Sequence, residues 1–191
     1  MTQELILAST SPRRKELLEQ VNIPFSIRKQ DVDESHIHLG NPAKTVEQLA
    51  ILKGKQTEIT RPNEVILSAD TVVAFNGNIF GKPKNDEDAF TMLTSLGGNV
   101  HEVYTGVMIR SHQHEISFVE KTLVEFWPLT EQEITQYIQS KEPFDKAGAY
   151  GIQGKGAALV KSLTGDYYTV MGLPISRVIR ELKQFDIYPA S

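Results

Sequence analysis

The stretch LILASTSPRRKELL, residues 5–18, joins two elements of different period with almost nothing between them. Leu5-Ile6-Leu7-Ala8 is a short unbroken apolar run, the pattern of a strand buried on both faces. Ser11-Pro12 then carries helix-start chemistry, with Ser11 at the N-cap and Pro12 at the first helical position. Leu17, Leu18 and Val21 follow at the i, i+1, i+4 spacing of one helix face. A buried strand feeding straight into a helix is the opening of an α/β domain. One detail is out of place. Arg13, Arg14 and Lys15 crowd the first turn, where the helix dipole favours acidic residues and opposes basic ones by a few tenths of a kcal/mol or more.

Outward from this stretch, the same alternation continues. Asn22-Ile23-Pro24 closes the helix, and Phe25 to Arg28 suggests a second strand, followed by the acidic segment Asp31 to Glu34. Asn41-Pro42 opens a helix expected to reach Lys55, with Val46, Leu49, Ala50 and Lys53 close to one face. Val65-Ile66-Leu67 reads as a strand interrupted by Ser68-Ala69-Asp70-Thr71 and resumed at Val72 to Phe75. Asn76-Gly77-Asn78 is a hairpin signal, and Asn85-Asp86-Glu87-Asp88 starts a helix with the usual acidic first turn, stopped by Gly97-Gly98. Three β-rich runs are expected at 103–109, 115–119 and 122–127. A Thr130/Glu133 capping box then begins a helix over 131–140. The glycine-rich run 147–156 is expected to be irregular, 157–160 to be a strand, and Leu173-Pro174-Ile175 to lead into a last helix ending near Phe185. The whole predicts an α/β domain with a mixed sheet, a single domain over residues 1–191.

Composition narrows the function classes. The 191 residues carry a net charge of −4, which argues against a general nucleic-acid coat, so any basic site must be local. With no cysteine, the chain has no disulfide, thiolate metal site or cysteine nucleophile. No signal-peptide pattern precedes residue 5, and no run approaches the ~20 apolar residues of a membrane span. The expectation is a cytoplasmic protein with no membrane and no nucleic-acid partner.

Several residues offer chemistry, each with a plain alternative. Arg13 and Arg14 at a helix start could meet a phosphate, or point into water. Asp70, at the apparent break in a strand, could ligate a metal or accept a proton from water, or be a solvated turn residue. Lys82 in Gly-Lys-Pro could contact phosphate or lie on the surface. Asp31, Asp33 and Glu34 could hold Mg²⁺ or be a solvated loop. The pairs His36/His38 and His112/His114 would share a strand face, yet no third ligand suggests a metal. The run 148–156 fits neither G-x-x-x-x-G-K-[ST] nor G-x-G-x-x-G, although Gln153 there offers one donor and one acceptor.

Taken in order, LILASTSPRRKELL, SADTVVAFNGNIFGKP, EPFDKAGAYGIQGKGA and GDYYTVMGLPISRV resemble the Maf family of nucleotide pyrophosphatases from end to end. That family is similar in architecture to the inosine-triphosphate pyrophosphatases. The resemblance implies an elongated α/β domain with a mixed central sheet and two lobes around a cleft, and a possible homodimer. It implies hydrolysis of a small-molecule nucleoside triphosphate between the α and β phosphates, with Mg²⁺ or Mn²⁺ as the divalent cation. Position by position, it puts Ser9, Arg13 and Arg14 on phosphate, and Glu34 and Lys53 in further polar positions of the site. Asp70 becomes the proton acceptor and Lys82 a phosphate-binding lysine, with the metal held by Glu34 and Asp70. Within the family, the dTTP- and UTP-hydrolysing subgroup is marked near Arg13, Thr71 and Gln153, and the ADT and AYGIQG wording here matches it rather than a group preferring 7-methyl-GTP. Two other functions stay open on the resemblance: a nucleotide-binding regulator of septum formation and cell division, and a phosphatase releasing inorganic phosphate.

Overall fold

In the computed structural model, which describes residues 2–34, 37 and 39–191, strand β1 (Glu4–Leu7) runs directly into helix α1 (Pro12–Gln20). The helix ends where Asn22 takes a left-handed φ of +53°. The chain then forms β2 (Phe25–Ile27), α2 (Pro42–Gln56), β3 (Glu64–Phe75) and β4 (Asn78–Phe80). After these come α3 (Asp86–Leu96), β5 (Val100–Arg110), β6 (Glu115–Phe126), α4 (Glu131–Gln139), β7 (Val160–Thr164), α5 (Tyr167–Met171) and α6 (Ile175–Leu182). Short 3₁₀ turns fill 142–145, 147–149 and 154–159. Among the described residues the strands form one seven-stranded sheet in the order β2-β1-β3-β5-β6-β7, with β4 beside β3. Pairing of β1 with β2 and β3 is parallel, whereas β3–β4 and β6–β7 are antiparallel. The sheet is therefore mixed, as the alternation of hairpins and crossovers predicts.

Three expectations are corrected. β3 is one twelve-residue strand with no break at 68–71. The polar side chains there are tolerated because they have partners: Ser68 Oγ donates to the Ala50 carbonyl at 2.7 Å, and Asp70 accepts from Lys53. Likewise, the expected runs 115–119 and 122–127 join in a single strand, β6, which ends at Phe126 and in which Thr122 is buried with its hydroxyl donating to the Asp166 carbonyl at 2.7 Å. Residues 157–159 are 3₁₀ rather than strand, and β7 begins only at Val160. Helix α5 carries too short a pattern to be expected from sequence.

The chain divides into two compact units. The first comprises residues up to Asp70 with Thr105–Glu120 and Gly172–Ser191; the second comprises Thr71–Tyr104 and Lys121–Met171. In the first unit the β1–β3 register sets Leu5 opposite Val65, Ile6 opposite Ile66 and Leu7 opposite Leu67, all essentially inaccessible to solvent. Ile6 and Ile66 pack with Ala8 and Ile59 on one face, while the alternate residues face the other way, as a parallel sheet covered on both sides requires. Helix α2 lies very close to this sheet. A Cβ on Gly106 of β5 would fall 2.3 Å from the Val46 carbonyl oxygen, and one on Gly54 of α2 would fall 2.7 Å from Ser68 Oγ. The second unit has its own core, in which Leu93, Leu96, Val103, Phe126 and Tyr150 are buried together and α3 packs on α4. Rings of His101, Phe126 and Tyr150 meet edge to face with centroids 4.6–5.3 Å apart. Burial lowers the His101 pKa to about 4, so this imidazole is neutral in the core at physiological pH.

Candidate active site

The start of α1 is built differently from every expectation of a capped helix. Ser11 occupies the N-cap but its side chain makes no capping bond, and no acidic residue lies in the first turn. Instead Ser9, buried in the short connection between β1 and α1, accepts the Ser11 N–H on its Oγ at 3.2 Å and an Arg14 Nη1–H at 3.3 Å. Arg14 is fixed a second time by donating from Nε to the Gly172 carbonyl at 2.7 Å. Burial lowers the Arg14 pKa. The Asp70 charge opposes that fall, Arg13 adds to it and Glu34 opposes it. The part-buried guanidinium thus lies within the field of three other charged groups that the sequence also singles out.

The two carboxylates among them, Glu34 and Asp70, meet on Lys53. Its ammonium lies 2.6 Å from Asp70 Oδ1 and 2.8 Å from Glu34 Oε1. The Lys53 and Asp70 side chains are each only 12% exposed, whereas Glu34 is 49% exposed and reaches in from the solvent side. The close approach of α2 to the sheet explains the contact. Ser68 and Asp70 are two apart on β3 and share a face, so the bond from Ser68 to Ala50 and the contact from Asp70 to Lys53 are successive rungs between strand and helix. Glycine at position 54 permits that approach, although glycine inside a helix costs about 0.8–1 kcal/mol relative to alanine. Asp70 is therefore a buried side chain in mid-strand, which corrects the reading of it as a solvated turn residue.

Ser9, Arg13, Arg14, Glu34, Lys53 and Asp70 all belong to the first unit. Thr71 follows Asp70 as the first residue of the second unit, which also carries Lys82 and Gln153. Lys82 is exposed in the loop after β4, and the neighbouring Gly81 carbonyl accepts the Gly148 N–H at 3.0 Å. Gln153 is half-buried at the start of the 3₁₀ turn 154–159. Sequence reasoning misses Glu142, whose carboxylate binds this glycine-rich run; the quoted block contains it, but a single glutamate before a proline carries no signal of its own. His36 and His38 lie outside the described residues. His112 and His114 sit in the β5–β6 turn rather than on a strand, and His114 packs against Phe185 at 5.0 Å.

The fold has a relative among solved structures. A HAM1 protein from Coxiella burnetii superposes over 96% of this chain and 100% of its own with a TM-score of 0.51, at 14% sequence identity. That likeness concerns the fold alone. The Maf-like protein family matches residues 4–185, and the chain belongs to the Maf family. A dTTP/UTP pyrophosphatase of Bacillus cereus is 50% identical over 185 residues, covering 97% of both chains. One from Bacillus mycoides is 51% identical over 184 residues, covering 96% of both.

Proposed function

We propose that this chain hydrolyses dTTP and UTP to the monophosphate and pyrophosphate, acting in the cytoplasm as a single domain over 1–191 and assembling as a homodimer. The observation that carries the proposal is the convergence of Glu34 and Asp70 on Lys53, in a chain about half identical to dTTP/UTP pyrophosphatases over nearly its whole length.

Among the described residues no third acidic or histidine side chain groups with Glu34 and Asp70, so the protein offers a divalent cation two carboxylates. Two carboxylate oxygens lie within 2.8 Å of the same positive charge, and hard cations such as Mg²⁺ or Mn²⁺ take oxygen ligands of this kind. Glu34 and Asp70 would hold the ion, which when bound supplies Lewis-acid charge toward the α-phosphate. Asp70 is the proton acceptor for the attacking water, and burial between β3 and α2 limits the positions its carboxylate can take. Lys53 keeps that carboxylate oriented and supplies positive charge as the α–β bond breaks. Ser9, Arg13 and Arg14 contact the phosphates, where the uncapped start of α1 also presents backbone N–H groups. Lys82 is a further phosphate contact. Gln153, with Thr71 beside the base, complements the imide edge of uracil or thymine by one donor and one acceptor.

Asp70→Asn tests the proposal directly. The amide is isosteric and should leave the fold intact while turnover of dTTP and UTP falls by about two orders of magnitude or more. Pyrophosphate and inorganic phosphate are measured separately over a nucleotide panel with Mg²⁺ or Mn²⁺. Near-wild-type turnover in the variant removes Asp70 from the chemistry. Phosphate release, or hydrolysis of no nucleotide by the natural chain, overturns the activity.

A further inference from the structure

The glycine-rich run carries Gln153 between two short 3₁₀ turns, 147–149 and 154–159, and outside any strand, and its backbone is fixed at several points by one side chain. Glu142 Oε1 accepts the Gly156 N–H and the Tyr137 hydroxyl, each at 3.0 Å, and Oε2 accepts the Lys155 N–H at 3.0 Å. The Tyr137 oxygen in turn accepts the Gly151 N–H at 3.1 Å. Three backbone N–H groups, at 151, 155 and 156, are thus tied directly or through one hydroxyl to a single carboxylate, and they bracket position 153 from both sides. The glycines fit this arrangement closely. A Cβ on Gly156 would lie 1.9 Å from the Gly151 carbonyl oxygen, and Gly154, at φ +62°, would bring one to 2.9 Å from Glu142 Oε2. Burial works against the Glu142 charge. The N–H groups of Gly156 and Lys155, the Tyr137 hydroxyl and the Lys146 ammonium outweigh it and hold the carboxyl below its ordinary range.

A hydrophobic brace would anchor the loop without fixing its register. A carboxylate accepting two backbone N–H groups and a hydroxyl selects one backbone conformation, because each charge-assisted bond is directional. We propose that Glu142 is a positioning residue for base recognition: through Tyr137, Lys155 and Gly156 it sets the loop so that the Gln153 amide meets the imide edge of uracil or thymine. This inference rests on the base-reading role given to Gln153 above.

The test uses the full chain with Mg²⁺ and compares Glu142→Gln, Tyr137→Phe and Gln153→Ala. Glu142→Gln keeps the shape, but either orientation of the amide turns an NH₂ toward a backbone N–H that now meets an oxygen. Tyr137→Phe keeps the ring and removes only the hydroxyl link. kcat and KM are measured for UTP and dTTP, CTP is measured as substrate or competitive inhibitor, and the Tm of each variant is recorded. Glu142→Gln should raise KM for UTP and dTTP by about tenfold with kcat within about threefold, while affinity for CTP changes much less. Tyr137→Phe should move the same quantities in the same direction by a smaller factor. If Gln153→Ala selectively weakens UTP and dTTP but the other two variants keep wild-type KM and discrimination, the positioning role is overturned. It is also overturned if they weaken all three nucleotides equally and in step with Tm. If Gln153→Ala has no base-selective effect, the Gln153 reading fails by itself. The Glu142 role then stands only where Glu142→Gln still raises KM selectively, through backbone groups of the same loop, and falls where it does not.

Discussion

Replacing Glu64 with glutamine should cost the protein about 3 kcal/mol at neutral pH and remove one component of its acid sensitivity. The Glu64 carboxylate, at the first position of β3, has a side-chain exposure of 0%. Arg28 forks onto it, with Nη1 donating to Oε2 at 2.8 Å and Nη2 to Oε1 at 2.9 Å. The Thr60 N–H reaches Oε2 at 2.8 Å, the Thr60 hydroxyl reaches Oε1 at 3.0 Å, and Arg61 Nε reaches Oε1 at 3.1 Å. An amide in that place turns two N–H donors toward partners that also donate. Breaking a buried pair from one side costs about 3–5 kcal/mol. Arg28 is 28% exposed and Arg61 55%, so water reaches the cations, and the lower end of that range applies. At a urea slope of about 2 kcal/mol/M, the unfolding midpoint should drop by about 1.5 M.

The pH dependence follows from the same contacts. Arg28 first, then Thr60 and Arg61, hold the Glu64 carboxyl far below the usual carboxylate range against the opposing effect of burial. A depressed folded-state pKa means that this stabilisation is complete above the unfolded value of about 4.3 and is lost as pH falls through the folded one. Urea titrations from pH 7 down to pH 3 should therefore show the natural protein losing stability faster than Glu64→Gln below about pH 5, so that the two converge. Equal midpoints at pH 7, or parallel acid slopes, would refute the assignment.

Two further outcomes can be checked alongside. Lys53→Met should leave far-UV circular dichroism unchanged yet lower kcat for dTTP and UTP by about a hundredfold, because Asp70 loses its orienting partner and the bond-breaking step loses a positive charge. Retention of most activity would remove Lys53 from the site. Gly106→Ala places a Cβ 2.3 Å from the Val46 carbonyl oxygen, a backbone atom that cannot swing aside. It should destabilise by about 3 kcal/mol or yield no soluble folded protein, and a urea midpoint near that of the natural chain would mean that α2 can withdraw from β5.

Much of the architecture is legible in residue order, for local reasons. Asn41, Asn85 and Thr130 each accept a backbone N–H three residues on, and the helices begin after them. Asn76-Gly77 supplies the two left-handed residues of the β3–β4 hairpin. Illegible are the places where a long-range partner overrides a local pattern. Ser68 and Asp70 look like a strand break until Ala50 and Lys53 are brought to them from a helix seventeen or eighteen residues away. Glu120-Lys121 looks like another, although β6 runs on through it to a buried Thr122 whose hydroxyl donates to the Asp166 carbonyl forty-four residues on. For the candidate site, the resemblance supplies the residues and the structure supplies their contacts: Lys53 as the common partner of Glu34 and Asp70, and Ser9 as the acceptor for Arg14. Glu142 escapes notice because two of its partners are backbone N–H groups, which leave no trace in a sequence motif, and the third is the hydroxyl of Tyr137 on another element.

The bare start of α1 also bears on how the chain can be altered. A search for stabilising substitutions would stop at this helix first, since adding a capping side chain or an acidic residue to its opening turn is worth roughly 0.5–1 kcal/mol at an ordinary site. Here the same change would set a negative charge beside Arg13 and Arg14 and occupy N–H groups that we propose contact phosphate. The turn is a point where selection for robustness and selection for turnover pull in opposite directions. Variants enriched for heat resistance alone should accumulate acidic residues there and lose affinity for triphosphate as they do.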